Sequence, residues 1–217
     1  MKLIVFDVDG TLVDSQDYIV EAQRRAFETL GLVAPSREKS LSIVGLSLDE
    51  AFRVLTDGDG PIKQLSQAYR DAWTVMRHEP AFQDALYPGA AHSVETLAAD
   101  ADVKLGIATG KSMKGVHHLF EKTGWEKLFS TIQTSDDNPS KPAPDMLLRA
   151  LRETGTDARD AVMIGDTSFD MAMARAAGLT AIGCTWGYHA HADLVAAGAQ
   201  HIVADFPALL ELLTQGL

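Results

Sequence analysis

The chain of 217 residues has a single cysteine, Cys184, so no intramolecular disulfide is possible and a reducing compartment suits it. Basic residues are also scarce: 19 Lys and Arg stand against 30 Asp and Glu, a net charge of -11. That balance argues against a nucleic-acid partner, because affinity for a phosphate backbone rests on basic patches, and it turns attention to small molecules. Long apolar runs are missing too. The run at residues 3–6 is cut short by Asp7 and Asp9, far below the roughly 20 residues of a membrane span or the core of an export signal. No membrane association is expected, and the cytoplasm is the expected location. There is no internal repeat, low-complexity tract or long disordered linker. With 46% hydrophobic residues the chain can bury a full core, as one domain or one domain with a modest insert.

What the chain does have is a short apolar run that ends in charge. Leu3-Ile4-Val5-Phe6 reads as a buried parallel strand and is followed by Asp7-Val8-Asp9-Gly10-Thr11. Side chains alternate along a strand, so Asp7 and Asp9 share one side while Val8 points away. Two carboxylates in one small volume call for a cation or a shared proton, and Mg²⁺ with a phosphate substrate fits. Gly10 permits a tight bend after the acids, and Thr11 offers a hydroxyl and an amide.

Beyond Ser15 the period becomes helical, with Ile19, Ala22, Ala26, Phe27 and Leu30 in phase and Gly31 as the stop. Further helical patterns lie around residues 48–55 and 62–76, broken by Asp57-Gly58-Asp59-Gly60-Pro61, with no strong strand among them. This stretch is too long for a simple crossover, so residues 15–80 are expected to form an inserted helical domain. After Tyr87-Pro88-Gly89, apolar runs at residues 103–108, 130–133, 161–164, 180–184 and 201–203 alternate with helical patterns at 91–100, 112–123, 143–154, 168–177, 191–197 and 206–214. The alternation predicts an α/β core, residues 1–14 and 81–217, with a parallel sheet covered by helices on both faces. Ligands of such sheets bind beyond the carboxyl ends of the strands. There the chain has Asp7 and Asp9, Thr109-Gly110, the stretch from Ser135-Asp136-Asp137 to Lys141-Pro142, and Gly165-Asp166 with Asp170 a few positions on.

Asp7-Val8-Asp9-Gly10-Thr11-Leu12-Val13-Asp14-Ser15 resembles the first motif of the haloacid dehalogenase superfamily in its phosphatase form. The other three motifs follow in order at Thr109-Gly110, Ser140-Lys141-Pro142 and Gly165-Asp166 to Asp170, so the resemblance covers the whole chain. It implies a Rossmann-like core with residues 15–80 as a small helical cap, and it implies roles. Asp7 matches the nucleophile, Asp9 the acid/base, Thr109 the hydroxyl that binds a phosphoryl oxygen, and Lys141 the ammonium that neutralises nucleophile and phosphate. Asp166 matches a magnesium ligand, with Asp7 and Asp9 completing an all-oxygen set of carboxylates and a backbone carbonyl, and Asp170 matches the outer acid. Gly10, Thr11 and Gly110 fall at substrate-binding positions. The loop Val44-Gly45-Leu46-Ser47-Leu48-Asp49, and Leu46 and Ser47 within it, looks like the substrate-facing segment of the cap. Gly187-Tyr188 after Trp186 is similar to phosphoglycolate phosphatases. The implied activity is Mg²⁺-dependent hydrolysis of a small phosphorylated metabolite through an aspartyl phosphate.

Elementary electrostatics agrees with these roles. Unit charges 4 Å apart repel by about 4 kcal/mol at an effective dielectric of about 20, an obstacle to a carboxylate nucleophile that Lys141 and Mg²⁺ remove. Asp9 must hold a proton when the leaving group departs, and the neighbouring Asp7 charge is of the kind that raises a carboxyl pKa. Other motifs are decoys. Gly106 to Ser112 resembles a P-loop but has three residues between its glycines where four are required, and Asp7 to Gly10 lacks the spacing of a calcium loop. His78, His117, His118, His189 and His191 lack partners at zinc-ligand spacing, and Cys184 in its apolar strand reads as core. Among rival functions, a receiver-type signalling module is shorter, has no insert after its first strand and carries its acceptor aspartate later in the chain. A dehalogenase would not need Asp9, Thr11 and the second acidic motif together. A sugar phosphomutase is the nearer alternative, but it must hold a second phosphate, and Val44, Leu46, Leu48 and Asp49 offer no cation. Arg37, Lys39 and Arg53 flank that loop.

Overall fold

The structure, a computed structural model, describes residues 2–79 and 85–215. Strand β1 (Lys2–Phe6) is followed by the two-residue strand β2 (Val13–Asp14) and four helices, α1 (Gln16–Thr29), α2 (Arg37–Leu41), α3 (Leu48–Leu55) and α4 (Ile62–Met76). The chain returns through β3 (Ala85–Leu86) and then alternates: α5 (Ala90–Ala98), β4 (Val103–Thr109), α6 (Met113–Thr123), β5 (Phe129–Thr134), α7 (Asp145–Thr154), β6 (Ala161–Gly165), α8 (Ser168–Ala177), β7 (Thr180–Cys184), α9 (His191–Ala196), β8 (His201–Val203) and α10 (Phe206–Gln215). Six strands form one parallel sheet in the order β5-β4-β1-β6-β7-β8.

The period-2 pattern of β1 divides the core in two. Ile4 and Phe6 pack with Leu105, Ile107, Ile164 and residues of α5, α6 and α10, while Leu3 and Val5 pack with Met163, Ala181 and residues of α7 and α8. Asp7 is next in the odd series, and its N–H still donates to the carbonyl of Ile164 at 2.9 Å. The direction that buries Leu3 and Val5 therefore also carries the first aspartate inward.

The six core strands and their helices occur where the pattern predicts them, each within a few residues. The antiparallel ribbon of β2 and β3, which pairs Val13 with Leu86 and Asp14 with Ala85, is an addition. Two-residue strands carry no periodicity to read. The four helices between them hold a core of their own, Ala26, Phe27, Ile43, Ala51, Phe52, Leu55 and Leu65, beside a smaller nest of Tyr18, Ala22 and Met76. Arg25 clamps α1 to the segment after α4 with a two-pronged bond to Glu79 at 2.7 and 2.9 Å. The boundary expected between residues 80 and 81 lies outside the described residues.

Candidate active site

The carboxyl ends of β1, β4 and β6 meet at the strand-order reversal, the position where open α/β sheets bind ligands. Asp7, Asp166 and Asp170 converge there, all buried, each with a carboxylate oxygen within 4.8 Å of the others. Lys141 is fully buried among them, its Nζ 2.6 Å from Asp170 Oδ1 and 3.0 Å from Asp7 Oδ2. Asp7 Oδ1 accepts from the N–H of Val8 at 2.7 Å, whereas no donor is aligned for a hydrogen bond on Oδ2. Three buried carboxylates with one ammonium leave an excess of negative charge. Burial, with Asp170 adding to it, pushes the Asp7 carboxyl up to about 7 despite Lys141. Burial, then Asp170 and Asp7, hold Asp166 well above the usual carboxylate range. Burial alone would lower Lys141, but Asp170 and Asp7 push it up to about 12. The oxygen-only donors and the excess of negative charge both fit a hard divalent cation such as Mg²⁺.

Local structure holds each acid in place. Thr11 Oγ1 donates to Asp166 Oδ1 at 2.8 Å, and the Tyr188 N–H donates to Oδ2 at 2.9 Å. A Cβ on Gly10, at φ +85°, would stand 2.2 Å from Asp166 Oδ2, so the glycine is required both for its turn and for the approach of the acid. Asp170 closes a capping box at the start of α8: Thr167 N and Oγ1 donate to its Oδ2 at 3.1 and 2.7 Å, leaving Oδ1 for Lys141.

Asp9 stands apart from these acids. Its carboxylate is held by Lys111, with Nζ at 2.7 and 2.9 Å from the two oxygens, and by Ser15 Oγ at 2.7 Å. Ser15 in turn meets the Tyr188 hydroxyl at 3.2 Å. The charge facing the Asp9 carboxylate is thus Lys111, where Asp7 was expected. Of the expected metal set, Asp7 and Asp166 come together with Asp170, and the Asp9 side chain lies outside that cluster.

Asp7, Asp9 and Thr109 open onto a cavity of ≈ 240 Å³ between the sheet edge and the helical insert. Gly110 and Leu46 line it as well, and a Cβ on Gly110 would fall 2.5 Å from the Leu46 carbonyl oxygen and 2.6 Å from that of Gly45. Ser47 is not among the lining residues; its N–H donates to Ser140 Oγ at 2.8 Å, next to Lys141. The flanking cations face elsewhere: Arg37 pairs with Asp17, Lys39 with Asp57 and Arg53 with Glu50. Arg70 of α4 and Arg77 just after it, with Lys111 and Lys114, line the cavity instead. The insert therefore does bring cations to the site, from a helix the sequence does not single out. Cys184 is fully buried, 3.8 Å from Thr11 Oγ1, and burial pushes its thiol well above the usual range, so it is a core residue.

Lys111 and Gln23 are site residues that the motifs do not assign, and Ser15 and Tyr188, which stand within quoted motifs, hold Asp9 and Asp166. Lys111 is visible only as the lysine of a failed P-loop. Gln23 had a signal, as a polar residue in phase with Ile19 and Phe27 on the apolar side of α1.

Residues 4–184 match the haloacid dehalogenase-like hydrolase family, and the chain belongs to it. It is 34% identical to the probable phosphatase IndB of Dickeya dadantii over 94% of this chain and 90% of that one. It is 33% identical to a phosphoglycolate phosphatase of Chromobacterium violaceum over 100% of this chain and 98% of that one. Among solved structures, a hydrolase from Pseudomonas syringae superposes with a TM-score of 0.87 at 27% identity over 99% of both chains.

Proposed function

We propose that the protein is a Mg²⁺-dependent phosphatase that hydrolyses small phosphate monoesters through an aspartyl phosphate on Asp7. The observation that carries this reading is the buried nest of Asp7, Lys141, Asp166 and Asp170 beneath a cavity that Asp7, Asp9 and Thr109 line. Asp7 and Asp166 with the Asp9 backbone carbonyl would hold the metal, and Asp170 stands behind them. When bound, Mg²⁺ supplies charge neutralisation for the phosphoryl oxygens and the nucleophile.

In the first step a carboxylate oxygen of Asp7 forms a bond to phosphorus as the ester P–O bond breaks, and Asp9 gives its proton to the departing oxygen. In the second, water attacks phosphorus and loses a proton to Asp9, the bond to Asp7 breaks, and inorganic phosphate leaves. Lys111 and Ser15 orient the ionised Asp9 carboxylate, the form that takes the proton from water in the second step. Lys141 offsets the charge of Asp7, and the Thr109 hydroxyl holds a phosphoryl oxygen. Residues 15–80 act as the cap, and the contact of Gly45 and Leu46 with Gly110 supports closure over the site that excludes water. The cavity is smaller than the roughly 300–1,000 Å³ of drug-sized pockets, which favours a metabolite of few carbons.

No helix among the described residues is long and apolar enough to cross a membrane, and the lone buried cysteine favours the cytoplasm. The test is release of phosphate from a panel of phosphate monoesters with and without Mg²⁺. Mg²⁺-dependent release from small esters is expected, and turnover undiminished by rigorous metal removal would overturn the proposal.

A further inference from the structure

Gln23 is the polar exception on the inner side of α1. Ile19, Ala22, Ala26 and Phe27 around it are buried, and Gln23 itself is only 3% exposed. Its Oε1 is buried without a hydrogen-bond partner. A buried, unpaired amide oxygen carries a desolvation cost that a leucine or methionine of similar size would avoid. Gln23 lines the cavity together with Ile19, Val44, Leu46 and Tyr69, so a partner can reach it only from within that cavity. The cavity is shared with Asp7 and Asp9, and Ile19, Ile43, Val44, Leu46, Leu48 and Ala51 give it aliphatic walls. A ligand with its phosphate at Asp7 would lay its carbon skeleton along these walls.

We propose that Gln23 selects the substrate by pairing with a hydroxyl on the organic part of the ester, so that the substrates are phosphorylated hydroxy compounds rather than plain alkyl phosphates. This rests on the phosphatase reading above. A hydroxyl follows from the chemistry of the amide: it can rotate end for end within the same shape, and a hydroxyl both donates and accepts, so it pairs in either orientation. A carboxylate only accepts, and an alkyl group does neither. A site built to bond a hydroxyl penalises the analogue that lacks it, because the protein group is left buried and unpaired.

The experiment uses matched esters of equal length, glycerol 1-phosphate against propyl phosphate and erythritol 4-phosphate against butyl phosphate. They are assayed with Mg²⁺ on the wild type and on Gln23→Leu and Gln23→Met, two variants that suit an apolar helix face. The wild type should favour the hydroxylated member by about tenfold or more in kcat/KM. Both variants should lose about tenfold more on the hydroxylated member than on the alkyl one. Equal losses on both members, or no preference in the wild type, would overturn the proposal. A binding arm separates this outcome from failure of the phosphatase reading: calorimetry of the same esters with Asp7→Asn and with Asp7→Asn/Gln23→Leu. A hydroxyl preference that disappears with Gln23, in a wild type that hydrolyses no ester, sinks the phosphatase reading and keeps the subsite. No preference in calorimetry sinks the subsite.

Discussion

At the scale of residues, the decisive fact is charge imbalance, since Lys141 is the one ammonium among the buried carboxylates of Asp7, Asp166 and Asp170. Asp7, with its carboxyl held near 7, keeps a proton in the folded chain between about pH 4 and pH 7 where the unfolded chain has lost it. Unfolding then releases a proton, so in the metal-free protein rising pH through that window favours the unfolded state. Asp7→Asn removes the effect. In EDTA, the variant should match the wild type near pH 4 and exceed it above pH 7, by on the order of 1–4 kcal/mol, in denaturant titrations, while losing phosphate release altogether. A wild type as stable as the variant at pH 8 would count against the raised carboxyl, and retained turnover against the nucleophile. Lys141→Ala should cost on the order of 10² or more in kcat, as other single electrostatic stabilisers do, and steady-state kinetics at saturating Mg²⁺ reads it. These acids and Lys141 were legible in the sequence because each follows a strand. Arg70 was not, because its meaning comes from the insert folding over the sheet edge; Lys111, two residues past β4, reads only as part of a failed P-loop, and Gln23 only as a polar residue in an apolar phase.

At the scale of elements, the strands and helices of the core could be read from their periods, since burial of both sheet faces leaves a strong hydrophobic signal. The β2–β3 ribbon could not, and neither could the seating of the insert. That seating is tightest at Gly110, where a Cβ would meet two carbonyl oxygens of the loop at residues 45–46. Backbone cannot yield as a flexible side chain does. Gly110→Ala should therefore push the loop outward, lowering kcat/KM by about tenfold or more while the melting temperature changes little, because the insert has a core of its own. Kinetics and calorimetry on the same variant check both halves. Unchanged kcat/KM would mean that the contact is not part of the working site.

At the scale of the whole molecule, a chain of net charge -11 presents Arg70, Arg77, Lys111 and Lys114 around one cavity that Asp7, Asp9 and Asp136 line as well. These cations sharpen the choice between phosphatase and phosphomutase. A mutase must grip a second, distal phosphate while the first is exchanged, and it does so best with fixed cationic forks. Arg70 on α4 and Arg77 just after it are exposed, and Arg77 Nε already faces His78 Nε2 at 3.1 Å. The enclosed walls are Ile43, Val44, Leu46, Leu48 and Ala51. Exposed cations attract an anion without fixing it, and aliphatic walls give a bisphosphate no second anchor. The phosphoryl group on Asp7 is therefore expected to pass to water. Incubation with Mg²⁺ and hexose 1-phosphates, with and without the corresponding bisphosphates, should release inorganic phosphate and form no isomerised sugar phosphate. Rapid isomerisation with little phosphate release would assign Arg70 and Arg77 to a distal phosphate and make the enzyme a mutase.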